Sequence, residues 1–288
     1  MDEKLKINIF DSLTPEGYKE YTKEEVEWVH KEDTFDGPTV FTDKDLLSPW
    51  VNKVQTNHKI AWILECRDIH PFAYDQVVTV EDKFDYIFTF DKELLERGPK
   101  YVKSVVASSR VSDEDAGIHD KTKMLSLIAS NKTWTRGHKL RHIVAKAIKD
   151  RYEVDLWGSA YKPWGDGSTA SAAAQAAGKN EPLKDYRFSI AIMNAKYDNY
   201  FTETLVDLFR HGTIPIFWGC GNISEYFNTD GILSFETGPE LFKILDSLSE
   251  EEYNSRYEAV QENFETAKEY MSMGDTFVRN LRRTLSDE

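Results

Sequence analysis

The chain has 288 residues, of which 40% are hydrophobic, and its formal net charge is −14. This length allows two domains of roughly 100 to 200 residues or one large α/β domain, while the acidic charge argues against general nucleic-acid binding through a basic surface. The only cysteines, Cys66 and Cys220, lie far apart, so neither a disulfide framework nor a cysteine metal site is expected, and a reducing compartment is favoured. The sequence has no apolar window long enough to predict a transmembrane segment.

The first half of the chain alternates between predicted strands and helices. Leu5–Phe10 predicts a strand, the charged stretch 24–30 predicts a short helix, and Ile60–Leu64 predicts a buried strand followed directly by Glu65. The pattern continues with a helix after Pro71, a strand at 86–89, a helix from its cap Asp91 to Arg97, and a strand at 101–107. Such alternation predicts a parallel sheet with helices on both faces.

The second half starts the same pattern again after the polar, aspartate-rich segment 108–123, which predicts a domain boundary. An apolar strand at 124–129, a helix over 138–149 and a strand at 154–157 follow. The small-residue segment 166–179 predicts a flexible linker, with a substrate lid as the alternative, and the residues after Pro239 have helical spacing. The sequence therefore predicts an α/β protein with two Rossmann-like halves.

Residues 185–219 have the pattern of one βαβ unit: strand, polar loop, short helix and second strand. Phe188–Ile192 is an apolar run, Thr202 can cap a helix whose first turn carries Glu203, and Gly212 ends that helix. A helix that starts after the carboxyl end of a parallel strand offers backbone N–H groups and the positive end of its dipole to an anion. This segment therefore predicts a phosphate-binding site.

The same segment contains Tyr-Arg-Phe-Ser-Ile-Ala-Ile-x-Asn, then Tyr-x-Thr-Glu, then Gly-Thr-Ile-Pro-Ile-Phe-Trp-Gly. This order resembles the donor-binding signature of the α-1,3/4-fucosyltransferases, glycosyltransferase family 10. The usual family pattern is close to Tyr-Lys-Phe-x-Leu-x-Phe-Glu-Asn, Tyr-Val-Thr-Glu-Lys and Gly-x-Val-Pro-Val-x-x-Gly. Two positions depart from it, because Met193 stands where the family has Glu and Thr204 stands where it has Lys.

The resemblance implies a GT-B fold, in which two Rossmann-like domains with parallel sheets face a cleft. We expect an acceptor-side domain over 1–120, a nucleotide-sugar domain over 121–264, and a C-terminal helix at about 265–288 that packs back on the first domain. The implied activity is metal-independent and inverting, and moves a sugar, most simply fucose, from a GDP-sugar to a glycan hydroxyl. No cofactor is expected beyond the donor. We expect a cytoplasmic protein of bacterial or viral type. A location at the periphery of a membrane is the alternative.

The predicted catalytic residue is Glu65, because the family uses a Glu in a comparable N-terminal position as general base; a structural partner of Arg67 is the alternative. Asp68 and His70 are weaker candidates for the same role. The residues predicted to bind the donor are Asn131, Lys132, Arg141, Arg187, Asn194, Tyr200, Thr202 and Glu203. In the family the Glu of Thr-Glu accepts hydrogen bonds from the ribose, and the following Lys contacts phosphate. Arg141, Arg187, Arg136 and Lys139 are the candidate substitutes for that Lys.

Three alternatives stay open at the level of sequence. The same scaffold can use another nucleotide sugar or a non-glycan acceptor such as modified viral DNA, as Met193 and Thr204 suggest. A degenerate member of the family can bind nucleotide or glycan without transfer. A metal-dependent GT-A enzyme needs an Asp-x-Asp after an apolar strand, and the run Asp113-Glu114-Asp115 has the letters without that strand.

Overall fold

The computed structural model of the chain describes residues 4–12, 22, 26–163 and 180–286. Within these ranges the chain folds into two compact units. The first contains the described residues up to Val106 together with those from Ser272 onward, and the second contains those between Ala107 and Met271. The small-residue segment 166–179 lies outside the described residues. The assignment of one domain to the acceptor and one to the donor stays a prediction.

The first unit contains a six-stranded sheet in the order β2-β1-β3-β4-β5-β6, and every pairing in it is parallel. Its strands are Leu5–Phe10 (β1), Val26–His30 (β2), Thr34–Thr42 (β3), Gln55–Trp62 (β4), Tyr86–Thr89 (β5) and Tyr101–Lys103 (β6). Its helices are Trp50–Lys53 (α1), Pro71–Thr79 (α2), Lys92–Leu95 (α3) and the C-terminal helix Met273–Ser286. The buried strand residues are strongly apolar, as expected for a parallel sheet covered on both faces.

The sequence prediction lacks two strands of this sheet and has other bounds for two more, since the strand predicted at 60–64 is Gln55–Trp62 and the one predicted at 101–107 is Tyr101–Lys103. The helix predicted at 24–30 is wrong, because Val26–His30 is an edge strand that pairs with β1. Its β-branched and aromatic residues favour a strand, and the charges that suggested a helix lie at its start. No strand is predicted from sequence at β3, because Gly37 and Pro38 interrupt its apolar pattern. A register shift between Phe35 and Pro38 accommodates this interruption.

The C-terminal helix completes the core of the first unit. The ring of Phe277 stacks on Trp62 with a centroid distance of 4.2 Å and meets the edge of Phe88 at 4.9 Å. Phe277, Val278 and Leu281 have no solvent exposure. Burial of a large aromatic side chain stabilises a core by about 1.5 to 3 kcal/mol. Helix Met273–Ser286 is therefore part of the same hydrophobic core as the first strand.

The second unit contains a five-stranded parallel sheet in the order β11-β10-β9-β7-β8. Its strands are Lys123–Ile128 (β7), Asp155–Trp157 (β8), Tyr186–Ile192 (β9), Ile214–Trp218 (β10) and Leu233–Ser234 (β11). Its helices are Arg136–Ile148 (α4), Asn180–Leu183 (α5), Glu203–Arg210 (α6), Gly238–Ser247 (α7), Glu250–Ser255 (α8) and Tyr257–Thr266 (α9). Among the helices of the described ranges, none combines the length and apolarity that a membrane crossing requires.

Each sheet has a switch point, where the chain leaves one strand and later returns on its other side. In the second unit this point lies between β7 and β9, since β8 follows on one side and β9 on the other. In the first unit it lies between β1 and β3. Open α/β sheets bind ligands outside the carboxyl ends of the strands at such points. The two switch points are therefore where functional side chains are expected.

Candidate functional site

A cavity of about 360 Å³ lies at the carboxyl ends of β7, β8 and β9. Ile128 ends β7, while Gly158 and Asn194 follow β8 and β9. The cavity is thus at the switch point of the second unit. Its polar lining consists of Arg110, Ser130, Asn131, Lys132, His138, Arg141, Ser159, Ser189, Asn194, Thr202, Glu203 and Thr204.

Six of the eight residues predicted to bind the donor line this cavity: Asn131, Lys132, Arg141, Asn194, Thr202 and Glu203. Arg187 and Tyr200 lie outside its lining. The Arg187 guanidinium donates to Glu250 at 2.6 Å, and Tyr200 is only 1% exposed. The structure thus brings most of the predicted set together, while the role of every one of these residues in binding stays a prediction.

Arg141 is anchored to the backbone at the end of β9. Its Nε donates to the carbonyl oxygen of Ile192 at 2.8 Å, and its Nη2 donates to Asn194 Oδ1 at 3.0 Å. Burial lowers the pKa of Arg141, and the nearby Glu203 opposes this shift. These bonds fix a guanidinium at the cavity wall, where a planar cation can recognise phosphate oxygens.

The start of α6 forms another wall of the cavity. Thr202 has an extended backbone, and its hydroxyl accepts a hydrogen bond from the backbone N–H of Thr204 at 3.4 Å. Leu205, Leu208 and Phe209 are buried, which anchors the helix against the sheet. Gly212 ends the turn after α6 with a φ of 66°, a conformation that glycine adopts without strain. Because Thr202, Glu203 and Thr204 all line the cavity, the positive end of this helix faces it.

His138 belongs to the capping box of the neighbouring helix α4, whose N-cap residue is Thr135. The Thr135 hydroxyl accepts from the backbone N–H of His138 at 3.2 Å, and the His138 ring accepts from the Thr135 N–H at 3.3 Å. Burial and then the charge of Arg141 lower the pKa of His138 to about 4, so the ring is neutral at pH 7. A neutral imidazole is a far weaker acid than an imidazolium, so this ring is poorly suited to act as a catalytic acid at that pH.

The two departures from the family pattern lie in different environments. Met193 has no solvent exposure, and a Cβ added to Gly219 would come within 2.4 Å of its side chain, so Met193 is a packing residue. Thr204, in contrast, lines the cavity without adding a charge. Neither Arg136 nor Lys139 is part of that lining, and the Arg136 guanidinium lies over the Trp218 ring at 5.3 Å.

Glu65 lies in the first unit, three residues beyond the end of β4, and is half-buried. Its carbonyl oxygen accepts from the Tyr74 hydroxyl at 2.6 Å. The alternative partner Arg67 binds Asp91 at 2.8 and 2.9 Å and Glu93 at 2.9 Å. The guanidinium of Arg67 is therefore engaged by these two carboxylates, and a base role for Glu65 remains a prediction.

Asp43 is a functional candidate that sequence reasoning missed. It follows β3, is 2% exposed, and its Oδ1 accepts from the backbone N–H of Leu64 at 2.9 Å. Burial raises the pKa of Asp43 to about 7, and the charges of Glu65 and Asp11 act in the same direction. The sequence feature that could have indicated Asp43 is its place shortly after the apolar residues Val40 and Phe41, but two apolar residues are too few to predict a strand.

Arg110 is the second residue that sequence reasoning missed. It lines the cavity, and its Nη2 lies 3.9 Å from Glu203 Oε1. The acidic run Asp113-Glu114-Asp115, which the GT-A alternative would use, does not follow a strand. Asp113 pairs with Arg210 at 2.7 Å, and Asp115 accepts from Ser112 at 2.8 Å. In the parts of the chain that the structure describes, no cluster of three or more His, Cys, Asp or Glu residues could hold a metal ion.

Solved fucosyltransferases have a similar fold. An α1,3-fucosyltransferase solved with GDP gives a TM-score of 0.55 at 16% identity, covering 95% of this chain and 88% of that one. An α1,3-fucosyltransferase solved with GDP-fucose gives 0.56 at 14% identity, covering 93% and 90%. The predicted fold class is confirmed: two parallel-sheet α/β units of the GT-B type.

Two sequence comparisons give matches to fucosyltransferases, one of them short. The α-(1,3)-fucosyltransferase FucT of Helicobacter pylori is 38% identical over 50 residues, which are 17% of this chain and 10% of that protein. The chain thus matches about a tenth of that relative's length. The family model "Glycosyltransferase family 10 (fucosyltransferase) C-term" matches residues 118–280, which is more than half of the chain. The chain therefore belongs to glycosyltransferase family 10, the fucosyltransferases.

Proposed function

We propose that this chain is an inverting, metal-independent glycosyltransferase that moves a sugar, most simply fucose, from a GDP-sugar to a glycan hydroxyl. The observation that carries the proposal is the cavity at the switch point of the second unit. Its lining combines the anchored guanidinium of Arg141, the start of α6 and the carboxylate of Glu203. A cation and a helix start suit a diphosphate, and a carboxylate suits ribose hydroxyls.

In the proposed reaction the acceptor hydroxyl attacks the anomeric carbon and its proton passes to the carboxylate of Glu65. The bond between the anomeric carbon and the diphosphate oxygen breaks, and the electron pair leaves with the nucleoside diphosphate. Attack on the side opposite the leaving group inverts the configuration. Negative charge grows on the diphosphate in the transition state, so cations such as Arg141 stabilise it more than the ground state.

The primary test measures binding and transfer separately. Calorimetry with GDP, UDP and ADP, followed by transfer assays with the matching sugar donors in excess EDTA, should show GDP binding and fucose transfer that persists without metal. A strong preference for a non-GDP donor overturns the fucose assignment, and loss of transfer in EDTA overturns metal independence. Product configuration determined by NMR tests inversion.

Glu203 provides a test of the ribose contact. Replacing Glu203 by Ala removes an acceptor for the ribose hydroxyls and should weaken GDP binding about tenfold or more, since a hydrogen bond to a charged group contributes about 1.5 to 3 kcal/mol. The exposed Glu236→Ala variant, outside the cavity, is the control. Unchanged GDP affinity in Glu203→Ala rejects the role of Glu203.

A second candidate function is transfer from a different nucleotide sugar, and Thr204 favours it. This residue lines the cavity where the family pattern has a phosphate-binding Lys, so the set of cations around the diphosphate differs. The donor panel distinguishes the two functions. Nucleotide binding without release of product from any donor and acceptor supports instead a member that binds without catalysing transfer.

A further inference from the structure

Arg110 brings a positive charge to the cavity from outside the βαβ units. It belongs to segment 109–117, which precedes β7. Its guanidinium approaches Glu203 to 3.9 Å, which is longer than a hydrogen bond, so this contact is electrostatic. The two side chains are 30% and 27% exposed. Partial burial reduces solvent screening, so the charge of Arg110 acts on whatever occupies the cavity.

Asp207 binds the backbone of Arg110 and the side chain of the neighbouring Ser109. Asp207 lies on α6 and has no solvent exposure. Its Oδ1 accepts from the backbone N–H of Arg110 at 2.7 Å and from the Ser109 hydroxyl at 2.9 Å. A buried carboxylate is costly without such partners. The helix whose start lines the cavity therefore also fixes the backbone of Arg110.

A second contact docks the far end of segment 109–117 on the same helix. The guanidinium of Arg210 binds Asp113 at 2.7 Å, and the Arg210 carbonyl oxygen accepts from the backbone N–H of Gly117 at 2.9 Å. The segment is thus attached to α6 at both Asp207 and Arg210. Because of these two attachments, the backbone at Arg110 keeps a fixed position relative to α6.

Among the described residues, the other cations in the lining of the cavity are Lys132 and Arg141. The first turn of α6 contributes Glu203 and the uncharged Thr204. Arg141 already donates to Ile192 and Asn194. A nucleoside diphosphate carries more negative charge than the monophosphate, and each charge-assisted bond to a phosphate oxygen is strong. An additional arginine therefore matters most for the diphosphate.

We infer that Arg110, held by Asp207, contacts the diphosphate of the donor and makes this cavity prefer a nucleoside diphosphate over the monophosphate. The inference rests on the proposed function, namely that the donor nucleotide occupies this cavity. Arg110 is in this sense a specificity residue, and Asp207 is a positioning residue that acts through it.

Calorimetry with GDP, GMP and guanosine tests the inference, with UDP, UMP and uridine in parallel. Arg110→Ala should lower diphosphate affinity by about 10- to 100-fold, as expected for loss of a charge-assisted contact. Monophosphate affinity should change less than about threefold, and nucleoside affinity should not change, since neither makes the lost contact. Arg110→Lys should restore part of the diphosphate affinity, because it keeps the charge without the planar fork.

The matched control is Arg256→Ala, since Arg256 is 26% exposed, pairs with Glu252 and lies outside the cavity. Asp207→Ala should reproduce the selective loss of diphosphate affinity, and thermal melting of each variant verifies that it is folded. If diphosphate and nucleoside affinities fall equally in Arg110→Ala, Arg110 only supports Glu203 and the inference is wrong. If diphosphate affinity does not change in Arg110→Ala, the inference about Arg110 is wrong, while the proposed function is not affected. If the wild type binds no nucleotide, the proposed function fails with it.

Discussion

The switch points of the two sheets have the same topology but opposite charge. In the first unit Asp11 and Asp43 follow β1 and β3, and each is 2% exposed. In the second unit the cavity at the switch point is lined by the cations Arg110, Lys132 and Arg141. The topology fixes where functional groups collect, while the side chains decide the chemistry. A buried acidic group favours proton exchange, and a cluster of cations favours an anionic ligand.

Replacing Glu65 by Gln is the sharpest test of this contrast, because it removes a proton acceptor from the first unit and leaves the cavity unchanged. General base catalysis contributes about 10²- to 10⁴-fold, so kcat/KM for transfer should fall by that factor while GDP affinity stays constant. Glu93→Gln is the control, since Glu93 is 81% exposed and binds Arg67. Transfer within about twofold of wild type assigns Glu65 a structural role.

Asp43→Asn tests the acidic switch point through stability. The pKa of Asp43 rises from 3.8 to about 7 on folding. Below pH 3.8 both states hold the proton, so stability is at its full value; as pH rises, the unfolded chain releases the proton first, and stability falls until the pH passes about 7. Three pKa units correspond to about 4 kcal/mol. The variant should therefore be more stable than wild type at pH 8, and the difference should vanish near pH 4.

Urea denaturation across that pH range measures this difference. Asn keeps an acceptor oxygen for the Leu64 N–H, so the hydrogen bond at 2.9 Å can be preserved. The exposed Asp82→Asn variant is the control for the loss of a surface carboxylate. If the difference in unfolding free energy between Asp43→Asn and wild type is constant from pH 4 to pH 8, the pKa of the Asp43 carboxyl is not raised on folding.

The smallest expected effect is that of Arg141→Lys in the basic switch point. Lysine keeps the charge but cannot bind Ile192 and Asn194 with the fixed fork of a guanidinium, so GDP affinity should fall about tenfold. The exposed Arg151→Lys, which lies outside the cavity, is the matched substitution. Calorimetry at constant ionic strength measures the change. Equal affinities for Arg141→Lys and wild type mean that only the charge of Arg141 matters.

The parts of the molecule that sequence predicts best are those whose signal is local. The strand at 86–89 and the βαβ unit from β9 to β10 occur where the apolar runs and the cap Thr202 indicate. The edge strand β2 is harder to predict, because its pairing with β1 outweighs the helical tendency of the charges before it. In β3, Gly37 and Pro38 interrupt the pattern that would predict a strand, and the strand still pairs with β4 because its register shifts between Phe35 and Pro38.

The residues of the candidate site also differ in how well the sequence predicts them. The helix start at Thr202 and Glu203 follows from the local pattern, since cap and first turn adjoin in sequence, whereas the ribose-binding role predicted for Glu203 comes from the resemblance to the family. Arg110 does not, because it meets Glu203 and Asp207 only after the chain has folded back over more than 90 residues. No local pattern links these positions. Long-range pairing of this kind is set by tertiary packing, which a single sequence does not display.

The stacking of Phe277 on Trp62 has a consequence for biosynthesis. A ribosome delivers the strands of the first sheet early, but the aromatic side chain that covers Trp62 emerges only after the residues of the second unit have been translated. We expect nascent chains that stop before Met273 to expose this apolar face and to need a chaperone. A peptide spanning the missing helix, added in trans, should then restore their solubility.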